Sequence, residues 1–378
     1  MLLRFNVVLI TWCMAYSLKH IMTRIQDFFL CLIRLGTSAS ADIPARMDVD
    51  WYSLEDLANE QYLLGVMLDG VEKLPRELRP EKKAIIQSIG QMIQSEHQYA
   101  VQEQAAADMA LLMHQHGIKT YVLKGAVVAE CYPRPEHRRS VDMDCFLLPE
   151  VGTEDVWENG NCVVEEAGFS VARGFYKNST FHLPGLAVEN HRFMTPFRGS
   201  ARLKRLEKLL QRMIGEDSGS DRFEGTWLYR PPVMVSALFL IEHAYSHFLH
   251  EGLTWRHVLD WAMFSRRHRE EIDWNSFEAY IDEFGFRRFY DSYARLGRFI
   301  LDELSSDDLP PADRRMLEDV WAPLDLHETL HGLKAKFQLA GNYWRARWKY
   351  RLFTDMTWLR ALMEWVLGAV FDREPRVG

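Results

Sequence analysis

The sequence predicts an α+β protein, a small mixed sheet embedded in a mostly helical chain. Three observations carry this. Apolar residues recur at helical spacing before Gly117 and again after about residue 200. Between these stretches the pattern switches to short β-type runs bounded by glycine and proline. One such run, 141–148, alternates acidic and apolar residues, with Asp142 and Asp144 two apart. Residues two apart on a strand share a face, and two carboxylates on one face suit a hard divalent cation such as Mg²⁺.

The elements follow in order. Residues 2–18 are largely apolar, with Arg4 near the start, but the stretch is short and no small-residue cleavage pattern follows it promptly. Residues 1–22 therefore read as an apolar leader or a mis-assigned start. No other segment is long and apolar enough to span a membrane. An amphipathic helix is expected over 25–35, then a small, polar linker over 36–48. A helix over 53–71 opens on Ser53 as N-cap, and the two prolines in 73–80 break it. The next helix runs from about 80 to 116 with Ile85, Ile89, Met92, Ile93, Met109 and Leu112 as its stripe, and Gly117 stops it.

β-type runs are expected at 119–123, 141–148, 169–175 and 181–194, the last carrying Pro184-Gly185 as a turn or bulge. Short helices fill 126–131 and 153–167. Beyond 200, helices are expected at 201–214, 231–250, 254–269, 274–284, 286–303, 312–321, 326–340 and 343–370. The division is thus 1–22 leader, 23–117 helical region, 118–199 α/β core and 200–378 helical domain.

Composition limits the function. The chain has 378 residues, 48% hydrophobic and 26% charged, ordinary for a soluble globular protein with two or three packed units. Its net charge, 45 − 53 = −8, argues against a protein that coats nucleic acid, so no stable nucleic-acid partner is expected. Cys13, Cys31, Cys131, Cys145 and Cys162 form no Cys-x-x-Cys pair and read as free thiols in a reducing, cytoplasmic setting.

Several groups carry chemistry. Lys124-Gly125-Ala126 sits between a strand and a helix, where small residues let backbone N–H groups approach a phosphate and Lys124 adds a cation. The alternative is an ordinary tight turn. Arg138 and Arg139 precede Asp142 by four and three residues, close enough to clamp a triphosphate or to pair with Asp142 and Asp144. His243 and His247 share a helix face with Asp260 on the next helix, either a metal site or a satisfied buried pair. The run from Trp344 to Arg351 reads as a solvated basic face with a packed aromatic side.

These residues also carry a resemblance. Gly117-Ile118, Val122-Leu123-Lys124-Gly125-Ala126, Tyr132-Pro133, Arg138 and Asp142-Met143-Asp144, in that order, resemble nucleotidyltransferases of the DNA polymerase β-like superfamily. More narrowly, the chain looks like its uncharacterised bacterial branch with a Leu-Lys-Gly-Ala turn. Val188-Glu189-Asn190-His191 lies where that branch places a third carboxylate, with Glu189 the first candidate and Asn190 a weaker one. His243, His247, Trp255-Arg256, Leu259-Asp260 and Asp273-Trp274 resemble its helical portion, so the similarity covers roughly 23–370.

The resemblance implies a nucleotidyltransferase core and transfer of a nucleoside monophosphate from a nucleoside triphosphate to an unknown small-molecule, sugar or protein hydroxyl. It implies Mg²⁺ (or Mn²⁺) on Asp142, Asp144 and Glu189, which are also the catalytic residues. It places phosphate contacts at Lys124, Gly125, Ala126 and Arg138. Lys124 stands where the wider superfamily has a serine. That departure keeps open a catalytically inactive nucleotide- or partner-binding protein of the same fold.

Overall fold

The computed structural model describes residues 24–371 except 38–42, 44–48, 153–154, 174–175, 198, 218, 220 and 323–332. Residues 1–22 and most of the 36–48 linker therefore lie outside the described residues. The chain opens with α1 (residues 24–36), α2 (Trp51–Glu60) and α3 (Leu64–Lys73). The long α4 (Lys82–Gln115) follows, and Gly117 turns the chain at φ +72°.

The single helix expected over 53–71 is two. The break falls at Gln61-Tyr62, where Tyr62 adopts φ +58° without glycine or proline to announce it. A tertiary contact fastens the break: buried Gln61 caps the first helix, and its Oε1 accepts the Trp255 backbone N–H at 2.7 Å. The α4 stripe is also only half right. Met109 is buried, but Ile93 is 57% exposed.

The sheet follows: β1 (Ile118–Val122), the one-turn α5 (Ala126–Ala129), a 3-10 turn at Pro135–His137, and β2 (Asp142–Pro149). Then come α6 (Trp157–Glu166), β3 (Val171–Ala172), β4 (Asn178–Leu183) and β5 (Leu186–His191). The expected run over 181–194 is a hairpin, with Gly185 at φ +78° between β4 and β5. After α7 (Ala201–Gly215), an unexpected short strand, β6 (Leu228–Tyr229), completes the order β3-β4-β5-β2-β1-β6. Two residues are too few for a periodic signal.

Pairing is mixed. β2 runs antiparallel to β1 but parallel to β5, which brings Asp144 opposite Glu189. β6 lies parallel to β1. Alternation then sorts the residues. Cys145, Leu147, Val188 and Asn190 are buried on one face, where Asn190 Nδ2 donates to Asn161 Oδ1 of α6 at 2.9 Å. Asp142, Asp144, Glu189 and His191 take the other face.

Helices follow in the chain: α8 (Val233–His250), whose Phe239 ring meets His191 edge-on on that second face, α9 (Trp255–Arg267), α10 (Trp274–Glu283), α11 (Arg287–Ile300) and α12 (Pro311–Trp321). α13 (Leu333–Arg345), α14 (Arg347–Phe353) and α15 (Trp358–Phe371) follow, so the helix expected over 343–370 is interrupted around Thr354. Lys349 in the basic run is buried, its Nζ donating to Asp319 Oδ2 and Phe248 O at 2.7 Å each, while Trp344 is exposed. The first helix reaches the later ones: Arg34 of α1 donates to Phe299 O of α11 at 2.7 Å.

Candidate active site

Asp144 is the buried centre of the carboxylate group. Its Oδ1 lies 2.8 Å from His191 Nε2, and the same nitrogen lies 3.5 Å from Glu189 Oε2. Burial alone would raise the Asp144 pKa; the bond to His191, together with the charges of His191, Lys124 and Lys177, outweighs it and holds the carboxyl well below the usual range. Burial would likewise lower His191, but Asp144 and Glu189 carry it upward. Asp142 is half-buried at the strand's entry. Burial and the neighbouring Asp144 raise its pKa. Glu189 is more open, with Oε2 accepting from Asn178 Nδ2 at 2.7 Å across the hairpin.

The 123–126 turn is fastened to this strand, since Leu123 N donates to Asp144 O at 2.9 Å. Gly125 sits at φ +71°, ψ −104°, a backbone that a side chain would strain, and Ala126 starts α5. Lys124 is buried and points to the helices: its Nζ lies 2.6 Å from His243 Nε2. Burial, then the charge of Arg256, push its pKa down to about 8.

Arg138 pairs with neither Asp142 nor Asp144, the acids expected for it, but with one far along the chain. It is 1% exposed and forks onto Asp260, Nε to Oδ1 at 3.0 Å and NH2 to Oδ2 at 2.6 Å. Tyr132 donates to the same carboxylate at 2.8 Å. Asp260 is therefore occupied and does not join His243 and His247. His257 does: one ring nitrogen from each of His243, His247 and His257 lies within 4.8 Å of the others.

Two groups among the described residues have metal-binding composition: Asp144 with Glu189 and His191, and the three histidines. Their surroundings differ. The first is carboxylate-rich. The second sits among cations. Burial holds His243 and His257 neutral well below their usual pKa, with Lys124 adding to the effect at His243 and Arg256 at His257. A further positive ion is disfavoured in such a field. His257 escaped the sequence reading because it lies outside the four-residue spacing. Arg256 was noticed only as part of a resemblance, and Tyr62 not at all.

The model of the family described as "Uncharacterised nucleotidyltransferase" matches residues 47–301, two thirds of the chain. The protein belongs to that nucleotidyltransferase family, and is accordingly a transferase acting on a nucleoside triphosphate. No curated protein and no solved structure matches the chain.

Proposed function

We propose that this protein is a metal-dependent nucleotidyltransferase of the DNA polymerase β-like superfamily, in its uncharacterised bacterial branch, moving an NMP from an NTP onto a hydroxyl acceptor. The observation that carries this is the parallel β2–β5 register. It sets Asp144 beside Glu189 on the face shared with Asp142, next to the turn that holds Lys124. The core at 118–199 houses the chemistry; the helical regions 23–117 and 200–378 shape the acceptor pocket.

In this reaction the acceptor oxygen bonds to the α-phosphorus as the bond to the pyrophosphate oxygen breaks. The acceptor proton leaves to a base and the electron pair departs with pyrophosphate. The oxygen-rich set Asp142, Asp144 and Glu189 fits Mg²⁺ or Mn²⁺. A divalent cation held there supplies charge neutralisation for the phosphates and the attacking oxygen. Glu189, more open than Asp144, would accept the acceptor's proton. Backbone N–H groups at Gly125 and Ala126 would meet phosphate oxygens, and Lys124 would turn from His243 toward them. Unbridged Cys31, Cys131, Cys145 and Cys162 support a cytoplasmic setting. No helix among the described residues is long and apolar enough to cross a membrane.

A second reading, a nucleotide- or partner-binding protein without turnover, draws on the commitment of Lys124 to His243 and of Arg138 to Asp260. Calorimetric titration with ATP, CTP, GTP and UTP, with and without Mg²⁺, tests the first. We expect Mg²⁺-dependent binding of at least one nucleotide, lost in an Asp142→Asn/Asp144→Asn variant that melts like wild type. Binding unchanged in that variant would remove the carboxylate site. Binding without pyrophosphate release on any acceptor would favour the second reading.

A further inference from the structure

We propose that Arg139 and Arg256, gathered at the ring of Tyr62, form a binding site for an oxyanion, a phosphate or carboxylate group, beside the carboxylate strand. The oxyanion site stands on its own observations; its use by a substrate of nucleotidyl transfer rests on the reading above.

The first observation is charge without a partner. Among the described residues neither Arg139 nor Arg256 makes an ion pair, in a chain with 53 acidic residues against 45 basic ones. Arg256 makes one long hydrogen bond, NH1 to Arg139 O at 3.3 Å, and its Nε is buried with no partner. Guanidinium groups bring several donors in a fork that matches oxyanions, so a buried, unpaired N–H is an open valence of that fork. Asp260, the acid whose charge acts most on Arg256, is already claimed by Arg138 and Tyr132.

The second is the way the two cations are held together. The Arg139 and Arg256 guanidinium carbons lie 5.4 and 5.2 Å from the Tyr62 ring centroid. Tyr62 is one of two non-glycine residues with positive φ among the described residues. Such a conformation persists only where the surroundings impose it, and it concentrates at functional sites. Here Gln61 pins the turn by accepting Trp255 N, which fixes Tyr62 against the N-terminus of α9, where Arg256 resides. That helix end adds its own positive field.

The third is position. Arg256 lies close enough for its charge to act on both Asp142 and Lys124, and Arg139 is three residues ahead of Asp142. Burial and then Arg138 depress the Arg256 pKa, so an arriving anion relieves a charge the site holds at a disadvantage.

Inorganic pyrophosphate is the probe. It is titrated calorimetrically into the full chain in EDTA and 0.15 M salt, which removes divalent ions and screens distant charges. We expect wild type to bind and affinity to fall tenfold or more in Arg256→Gln and in Arg139→Gln. Arg256→Lys should recover part of it, since the charge remains but the fork does not. Arg139 is exposed, so its variant tests the site even where Arg256→Gln fails to fold. No binding by wild type, or wild-type affinity in Arg139→Gln and any folded Arg256 variant, overturns the proposal.

A parallel titration with Mg²⁺ and nucleotide identifies the source. Weakened nucleotide binding in the arginine variants assigns the site to the donor's phosphates. Unchanged nucleotide binding with pyrophosphate binding lost assigns it to an acidic acceptor. Loss of Mg²⁺-dependent binding in the Asp142→Asn/Asp144→Asn variant is a separate result, so either reading can fail without the other.

Discussion

Glu242 shows what a single residue contributes to the behaviour of this fold. It sits in α8 beside His243, buried, with Oε2 lacking a hydrogen-bond partner. Burial lifts its pKa from 4.5 to about 7. Below pH 4.5 the folded and unfolded chains both carry the proton. As pH rises from there to about 7 the unfolded chain releases it first, so the folded state loses stability, about 3 kcal/mol when complete. Glu242→Gln mimics the protonated form. It should raise stability by about 3 kcal/mol at pH 8 and leave it nearly unchanged at pH 4.5, as read by urea unfolding at both values. An equal effect at both would show that Glu242 does not titrate in that range. Asp144 lies on the opposite side of this logic: buried too, but given His191, it stays ionised.

Pairs of elements depend on the glycines between them. α1 and α3 approach so closely that a Cβ on Gly70 would lie 2.0 Å from Leu32 O, and one on Gly36 would lie 2.1 Å from Val66 O. Both obstacles are backbone, which cannot rotate aside. Gly70→Ala should therefore destabilise the protein by about 2 kcal/mol or more. Gly90, on the exposed side of α4, meets nothing within 4 Å. Gly90→Ala should stabilise by about 0.5–1 kcal/mol through helix propensity alone. Chemical denaturation of the two variants measures the contrast; similar signs would mean that α1 does not pack on α3 as described.

At the scale of the molecule, the sheet core is tied to its helical surroundings by buried polar bonds. Arg138 and Tyr132 end on Asp260, and Lys124 ends on His243. A fragment spanning 118–199 would leave the Arg138 guanidinium buried with no counter-charge or strip the apolar cover from the sheet. Breaking a buried pair from one side costs about 3–5 kcal/mol, a large share of a domain's net stability. The fragment should show no cooperative thermal transition where the full chain does; a sharp melt of the fragment would establish the core as autonomous.

Local patterns made much of this protein legible in advance. Helical periodicity marked the helices, and the i, i+2 spacing put Asp142 and Asp144 on one face before any pairing was known. The Lys124-Gly125-Ala126 turn and Glu189 were legible too, one as a turn and the other through resemblance. What stayed hidden depends on contacts between residues far apart in the chain. Nothing near Arg138 shows that Asp260, 122 positions on, claims it. Nothing near Gln61 shows that Trp255 fastens the helix break there. The gathering of Arg139 and Arg256 at Tyr62, and of His257 with His243 and His247, arises in the same way. Periodicity records which face a residue occupies, because that is set by backbone geometry. Which partner meets that face is set by packing, and packing is a property of the assembled chain.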